Sequence, residues 1–222
     1  MNWKEYQELS PKTLTNIYES YGLNVLEEPS IETPAGLIRS ARQLAWAANL
    51  AHMGLGLISE LEELIEAINK SDKTNIQEEL IDMLFYVSCA IKLCKDIGIE
   101  LSQCENYEFT EYQTSCNLLD LSKTISVFSD IPKKVLAYKR TITSRIDVPK
   151  QKQFYYAHDI DQKLHDILYH INLLGHTFYI DIEQGLDNNI QKLQGVRYKN
   201  GFNENDANSR NLEKEREKLE KK

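Results

Sequence analysis

Apolar residues recur at intervals of three and four along most of the chain, and glycine and proline are scarce, so the pattern predicts helix after helix and an all-α fold. A first helix is expected around KEYQELSPKTLTNIYESY, interrupted or restarted at Pro11, and EEPSIETP reads as a loop with Pro29 and Pro34 as breakers. AGLIRSARQLAWAANLAHMGLGLISELEELIEAINK predicts a long helix, bent near Gly54 and Gly56 and stopping at NKSDKT. NIQEELIDMLFYVSCAIKLCKDIG is the next helix, ending at Gly98. After a polar and aromatic connection, CENYEFTEYQ, helix resumes over NLLDLSKTISVFSDIPKKVLAYKRTITSR with a break or kink at Pro132. VPKQKQF reads as a loop. HDIDQKLHDILYHINLLGHTFY is a further helix leading into DIEQGLDNNIQKLQGVRY, and residues 203–222 are expected to form a charged C-terminal helix or solvated tail.

One similarity runs inside the chain. Setting NIQEELIDMLFYV over DIDQKLHDILYHI matches Ile76 with Ile160, Leu80 with Leu164, Asp82 with Asp166 and Leu84 with Leu168, and IGIE at 97–100 faces IDIE at 180–183. The expectation is a bundle of two pseudo-repeated helical hairpins, the second carrying Lys163 where the first has Glu79. Helices of equal apolar period also look alike by chance. The domain reading is a single unit over 1–202, with an acidic hairpin at 40–102 and a degenerate second hairpin at 117–185.

Composition narrows the function. The 222 residues are 41% hydrophobic and 27% charged, as in an ordinary globular protein. Apolar runs are interrupted by charge well short of a membrane span, and MNWKEYQELS lacks the basic and apolar regions of a signal peptide, so a cytoplasmic protein with no membrane partner is expected. Cys89, Cys94, Cys104 and Cys116 form no C-x-x-C pair and read as free, buried or half-buried thiols. The net charge of −8 is N-terminal in origin: residues 1–104 hold 8 Lys/Arg against 16 Asp/Glu, and the remainder balances at 18 of each. That distribution argues against nucleic acid as a partner, which needs a basic face, but is compatible with a phosphate ligand brought in with a divalent cation.

The candidate chemistry sits in GLISELEELIEAINKSDKTNIQEELIDMLFYV. Glu60 and Glu63 project from one face of a helix, as do Glu79 and Asp82, because residues three apart are neighbours. Four carboxylates brought together repel unless a hard cation lies between them, and oxygen-only ligands point to Mg2+, with Mn2+ the alternative. ELEELIE alone is an ordinary solvated acidic face. Asp82 is harder to explain that way, since Leu80, Ile81, Met83 and Leu84 surround it and no Lys or Arg of its own helix is placed to pair with it. A basic residue from another helix is the competing solution. Di-iron carboxylate chemistry is excluded because no histidine has a glutamate three residues before it.

These acidic motifs, E-x-x-E then E-x-x-D, resemble the signature of the MazG-like nucleoside triphosphate pyrophosphohydrolases, with Glu60, Glu63, Glu79 and Asp82 at the matching positions. NIQKLQGVRYKNGF resembles that family's segment after the last bundle helix, which sets Asn189, Lys192, Arg197 and Tyr198 at matching places. NSRNLEKERE is similar to what often follows, and EYQEL is a fainter likeness. The loop before Arg197 is one residue longer than the family pattern, and Lys199 stands where proline is common. The resemblance implies Mg2+ held by the four acids and a water, deprotonated by one of the glutamates, that converts a nucleoside triphosphate to monophosphate and pyrophosphate. It also implies Lys192 and Arg197 at the phosphates and Asn189 at phosphate or sugar. Lys163 is a phosphate candidate from the internal similarity only. For Lys133, Lys134, Lys139 and Arg140 the solvated reading is preferred. Trp46 and His52, on the helix leading into the first acids, are base-contact candidates against the commoner reading of both as core. Short family members resemble half-bundles that pair, so a homodimer is one expectation, and completion of the bundle by the chain's own second hairpin is the other. An all-α dUTPase-type enzyme and a catalytically silent partner-binding bundle are the alternative functions.

Overall fold

The computed structural model describes residues 1–13, 31–32, 38–39, 41–110, 117–138, 141–143 and 154–198; Cys116, Lys139, Arg140, Lys199 and the charged segment 203–222 lie outside them. Helix α1 (Trp3–Leu9) opens on a capping box, the Asn2 side chain accepting from the Glu5 N–H and the Glu5 carboxylate accepting from the Asn2 N–H. It passes at Pro11 into a 3-10 turn, Ser10–Thr13. Helix α2 (Ala41–Lys70) is a continuous 30-residue helix that includes Gly54 and Gly56. The two glycines allow close packing: a Cβ on Gly54 would lie 2.7 Å from Ser129 Oγ, and one on Gly56 would run into the Tyr86 ring.

The end of α2 makes the hairpin. Ser71 takes a left-handed φ of 54°, and the N–H groups of Ser71 and Asp72 return to the carbonyls of Ile68 and Ala67. Asp72 then caps α3 (Lys73–Asp96), its carboxylate accepting from the Asn75 N–H at 3.2 Å. So short a turn folds α3 antiparallel onto α2. A short helix α4 (Ser102–Glu105) occupies part of the segment expected to be a plain connection. Helices α5 (Leu118–Tyr138) and α6 (Ala157–Thr177) form the second hairpin, α5 against α2 and α6 against α3, and α7 (Ile182–Lys192) leads into a π-helical turn, Leu193–Arg197.

Two boundaries depart from the sequence pattern. α5 continues through Pro132, whose side chain is buried, but stops at Tyr138; beyond it β3 (Thr141–Thr143) pairs in parallel with β4 (Phe154–Tyr156). The β-branched Thr-Ile-Thr run suits an extended strand better than the helix tail expected there. Upstream, β1 (Ile31–Glu32) pairs antiparallel with β2 (Ile38–Arg39), so the long helix starts at Ala41. These short pairs are the strands among the described residues, and the fold is all-α. No described helix is long and apolar enough to cross a membrane.

The core lies between the hairpins. Leu57 and Leu64 of α2, Leu80 and Leu84 of α3, Phe128 of α5 and Leu164 and Leu168 of α6 are all fully buried. Each such side chain is worth about 1.5–3 kcal/mol relative to exposure, so aliphatic packing provides the frame on which a polar site is carried. The matched positions of the two hairpins share their environments: Ile76 and Ile160, Leu80 and Leu164, and Leu84 and Leu168 are buried, while the Asp82 and Asp166 side chains are 23% and 30% exposed. Cys89, Cys94 and Cys104 are buried free thiols, as expected for those three, with burial pushing Cys94 up to about 12.

Candidate metal centre

Helices α2 and α3 leave their turn in opposite directions, so residues at comparable distances from Ser71 and Asp72 come opposite one another. One carboxylate oxygen from each of Glu60, Glu79 and Asp82 lies within 4.8 Å of the other two. Glu60 is half-buried and Glu79 only 8% exposed. Glu63 projects from the same helix face as Glu60 but is exposed and stands outside this cluster; its charge still contributes to raising the Glu60 pKa. Glu62 and Glu66 are exposed, and Glu66 pairs with Lys70.

Crowding and burial make the acids reluctant to ionise together. Burial first, then the hydrogen bond with Glu60 and the charge of Asp82, push Glu79 up to about 10. Burial, then Asp82, raise Glu60 to about 7, while the hydrogen bond with Glu79 and the charge of Lys192 pull the other way. At neutral pH the two glutamates therefore share a proton.

Asp82 is held from the far end of the chain. Gly185 of α7 packs on Ile81, where a Cβ would lie 2.7 Å from the isoleucine side chain, and this close approach of α7 to α3 brings Asn189 and Lys192 over the cluster. The Asn189 amide donates to Asp82 Oδ1 at 2.5 Å. Lys192, whose side chain is completely buried, donates to Asp82 Oδ1 and Oδ2 at 2.9 and 2.8 Å and to Glu78 Oε1 at 3.2 Å. The carboxylate in the apolar run thus has a cation, supplied 110 residues away in sequence. Lys192 was expected at phosphate; its observed bonds are to acids. Asn189 in turn accepts from the hydroxyl of Tyr6, a fully buried residue of α1.

The other expected contacts lie elsewhere. Trp46 is 4% exposed and belongs to the core, so the core reading is favoured over the base-contact one. Lys163 pairs with Asp166 on its own helix at 2.7 Å, as the i to i+3 spacing favours, and with Asp130 and His158 lines a separate depression that none of the cluster acids touches. The backbone of Arg197 ends the π-helical turn; its side chain lies outside the described residues. Lys133 and Lys134 both pair with Asp130.

His52 is better placed than Trp46. Its ring meets Tyr86 edge-on, with centroids 6.3 Å apart, and burial lowers its pKa. Burial, then the charges of Glu60 and Asp82, raise the Tyr86 phenol, which marks this ring as a neighbour of the cluster. Tyr6, Glu78 and Tyr86 are site residues that sequence reasoning did not select. The signals that point to them are the EYQEL likeness, which contains Tyr6, and helical spacing, which sets Tyr86 four residues after Asp82 and Glu78 four before it.

Residues 49–106 match the family model of the MazG nucleotide pyrophosphohydrolase domain. The matched segment takes in Glu60, Glu63, Glu79 and Asp82, and ends well before Asn189 and Lys192. No curated protein and no solved structure matches the chain.

Proposed function

We propose, from the match of residues 49–106 to the MazG nucleotide pyrophosphohydrolase domain, that the chain hydrolyses a nucleoside or deoxynucleoside triphosphate to the monophosphate and pyrophosphate with Mg2+ or Mn2+ bound at Glu60, Glu79 and Asp82. The observation that carries this reading is the meeting of three carboxylates from two helices inside the matched segment. An all-oxygen, anionic and partly buried donor set fits a hard divalent cation, and the proton shared by Glu60 and Glu79 is one that a cation would displace. When bound, such an ion supplies Lewis acidity toward phosphate oxygens and acidifies water.

The chain's own groups supply the remainder. One of the site's glutamates would accept the proton of the attacking water. Glu63, exposed on the same helix face as Glu60 but outside the cluster, is the fourth acid that would complete the ligand set when a cation binds. Lys192 supplies the positive charge that pairs with Asp82 and Glu78, and a role for it at the phosphates would require it to exchange those bonds for the substrate's. Its bonds to Asp82 also favour a second reading: a silent bundle whose acids are balanced by Lys192 and a shared proton. The second hairpin packs on the acidic one within the same chain, which supports completion of the bundle by the chain's own second hairpin over pairing with a second copy.

A panel of ribo- and deoxynucleoside triphosphates with Mg2+, analysed for products, tests the proposal. Monophosphate with pyrophosphate is the expected pair. Diphosphate with phosphate would contradict it, and a folded protein inert to every triphosphate would favour the silent bundle.

A further inference from the structure

Tyr6 is fully buried, and its hydroxyl donates to Asn189 Oδ1 at 2.8 Å. With Oδ1 so engaged, the other end of the amide is left to donate to Asp82 Oδ1. Asn189 is itself only 1% exposed, so water is not at hand to replace either bond. The terminal torsion of an asparagine is broad and nearly two-fold; the amide is oriented by its partners rather than by its own rotamer preference.

From this chain of bonds we infer that Tyr6 is a positioning residue for the metal centre: its hydroxyl fixes the Asn189 amide, and through it the carboxylate of Asp82 facing Glu60 and Glu79. The inference rests on the metal-dependent reading above. Helix α1 does not depend on this hydroxyl for its own docking. Trp3 Nε1 donates to the Cys104 carbonyl at 2.8 Å, Gln7 donates to the Glu105 carbonyl, and Ser10 hydrogen-bonds Ser88. Outer partners that orient ligands commonly alter metal affinity about 10–100-fold.

The test is Mn2+ binding to the full chain, read by electron paramagnetic resonance of the free ion, with thermal melts confirming that each variant is folded. Tyr6→Phe keeps the ring and removes the hydroxyl, and is expected to weaken Mn2+ binding about 10-fold. Ser10→Ala removes a buried bond of the same segment that does not lead to Asp82, and should bind as the unaltered chain does. In an Asn189→Ala background, Tyr6→Phe should change nothing further. Undiminished binding by Tyr6→Phe, an equal loss in Ser10→Ala, or additive losses in the double variant would each overturn the inference while leaving the metal centre standing. An unaltered chain that binds no Mn2+ would remove the metal-dependent reading, and the inference with it.

Discussion

Replacing Lys192 by Met probes the link that closes the site. The ammonium is completely buried and bonded to both oxygens of Asp82 and to Glu78, and methionine fills much of the same volume without charge. Removing one partner of a buried ion pair costs about 3–5 kcal/mol, because the other charge is left uncompensated. The Asp82 and Glu78 side chains are 23% and 20% exposed, and water relieves part of that penalty, which places the expected loss near about 3 kcal/mol. For a chain of this length that is a fall of about 6–12 °C in Tm. Urea unfolding in chelator at pH 7.5 measures it directly. Lys192→Met with Asp82→Asn should recover a large part, since removing both charges costs less than orphaning one. A loss under about 1 kcal/mol, or a double variant no better than the single, would refute the assignment of Lys192 as the counter-charge of Asp82.

Two further outcomes follow from the same geometry. Glu60 and Glu79 have folded pKa values above the ordinary 4.5, so their protonated forms stabilise the fold; that contribution is complete below about pH 4.5 and is lost as pH rises through about 7 for Glu60. In chelator the Tm should therefore fall between about pH 5 and 8, with Glu79→Gln flattening the slope and Mg2+ opposing it; a Tm rising over that range would contradict the shared proton. Gly185→Ala forces a Cβ to within 2.7 Å of the Ile81 side chain and should cost about 1–3 kcal/mol in urea unfolding while weakening Mn2+ binding, since α7 carries Asn189 and Lys192.

The parts of this site written in local spacing were legible in the sequence. Glu60, Glu79 and Asp82 stand at helical intervals on either side of a turn, and an acid inside LIDMLFYV announces that a cation must be near. The identity of that cation was not legible, because Lys192 lies 110 residues on and only the resemblance of NIQKLQGVRYKNGF singled it out. Spacing also says nothing of depth: Glu63 shares a helix face with Glu60 yet is exposed, and Trp46, an aromatic at helical spacing, proved to be core. Lys163, a phosphate candidate from the internal similarity alone, pairs with Asp166 one turn away. The all-α class followed from period alone, whereas the end of α5 did not, since Pro132 is accommodated inside the helix and the β-branched run after Tyr138 stops it.

The measurement that bears most directly on the centre is the rate of pyrophosphate release from a nucleoside triphosphate as Mg2+ is raised, for the unaltered chain beside Glu79→Gln. The account predicts release that saturates with Mg2+ and is lost in Glu79→Gln, although that variant melts no lower than the unaltered chain in chelator at pH 8. Release that is independent of Mg2+, or undiminished in Glu79→Gln, would contradict it.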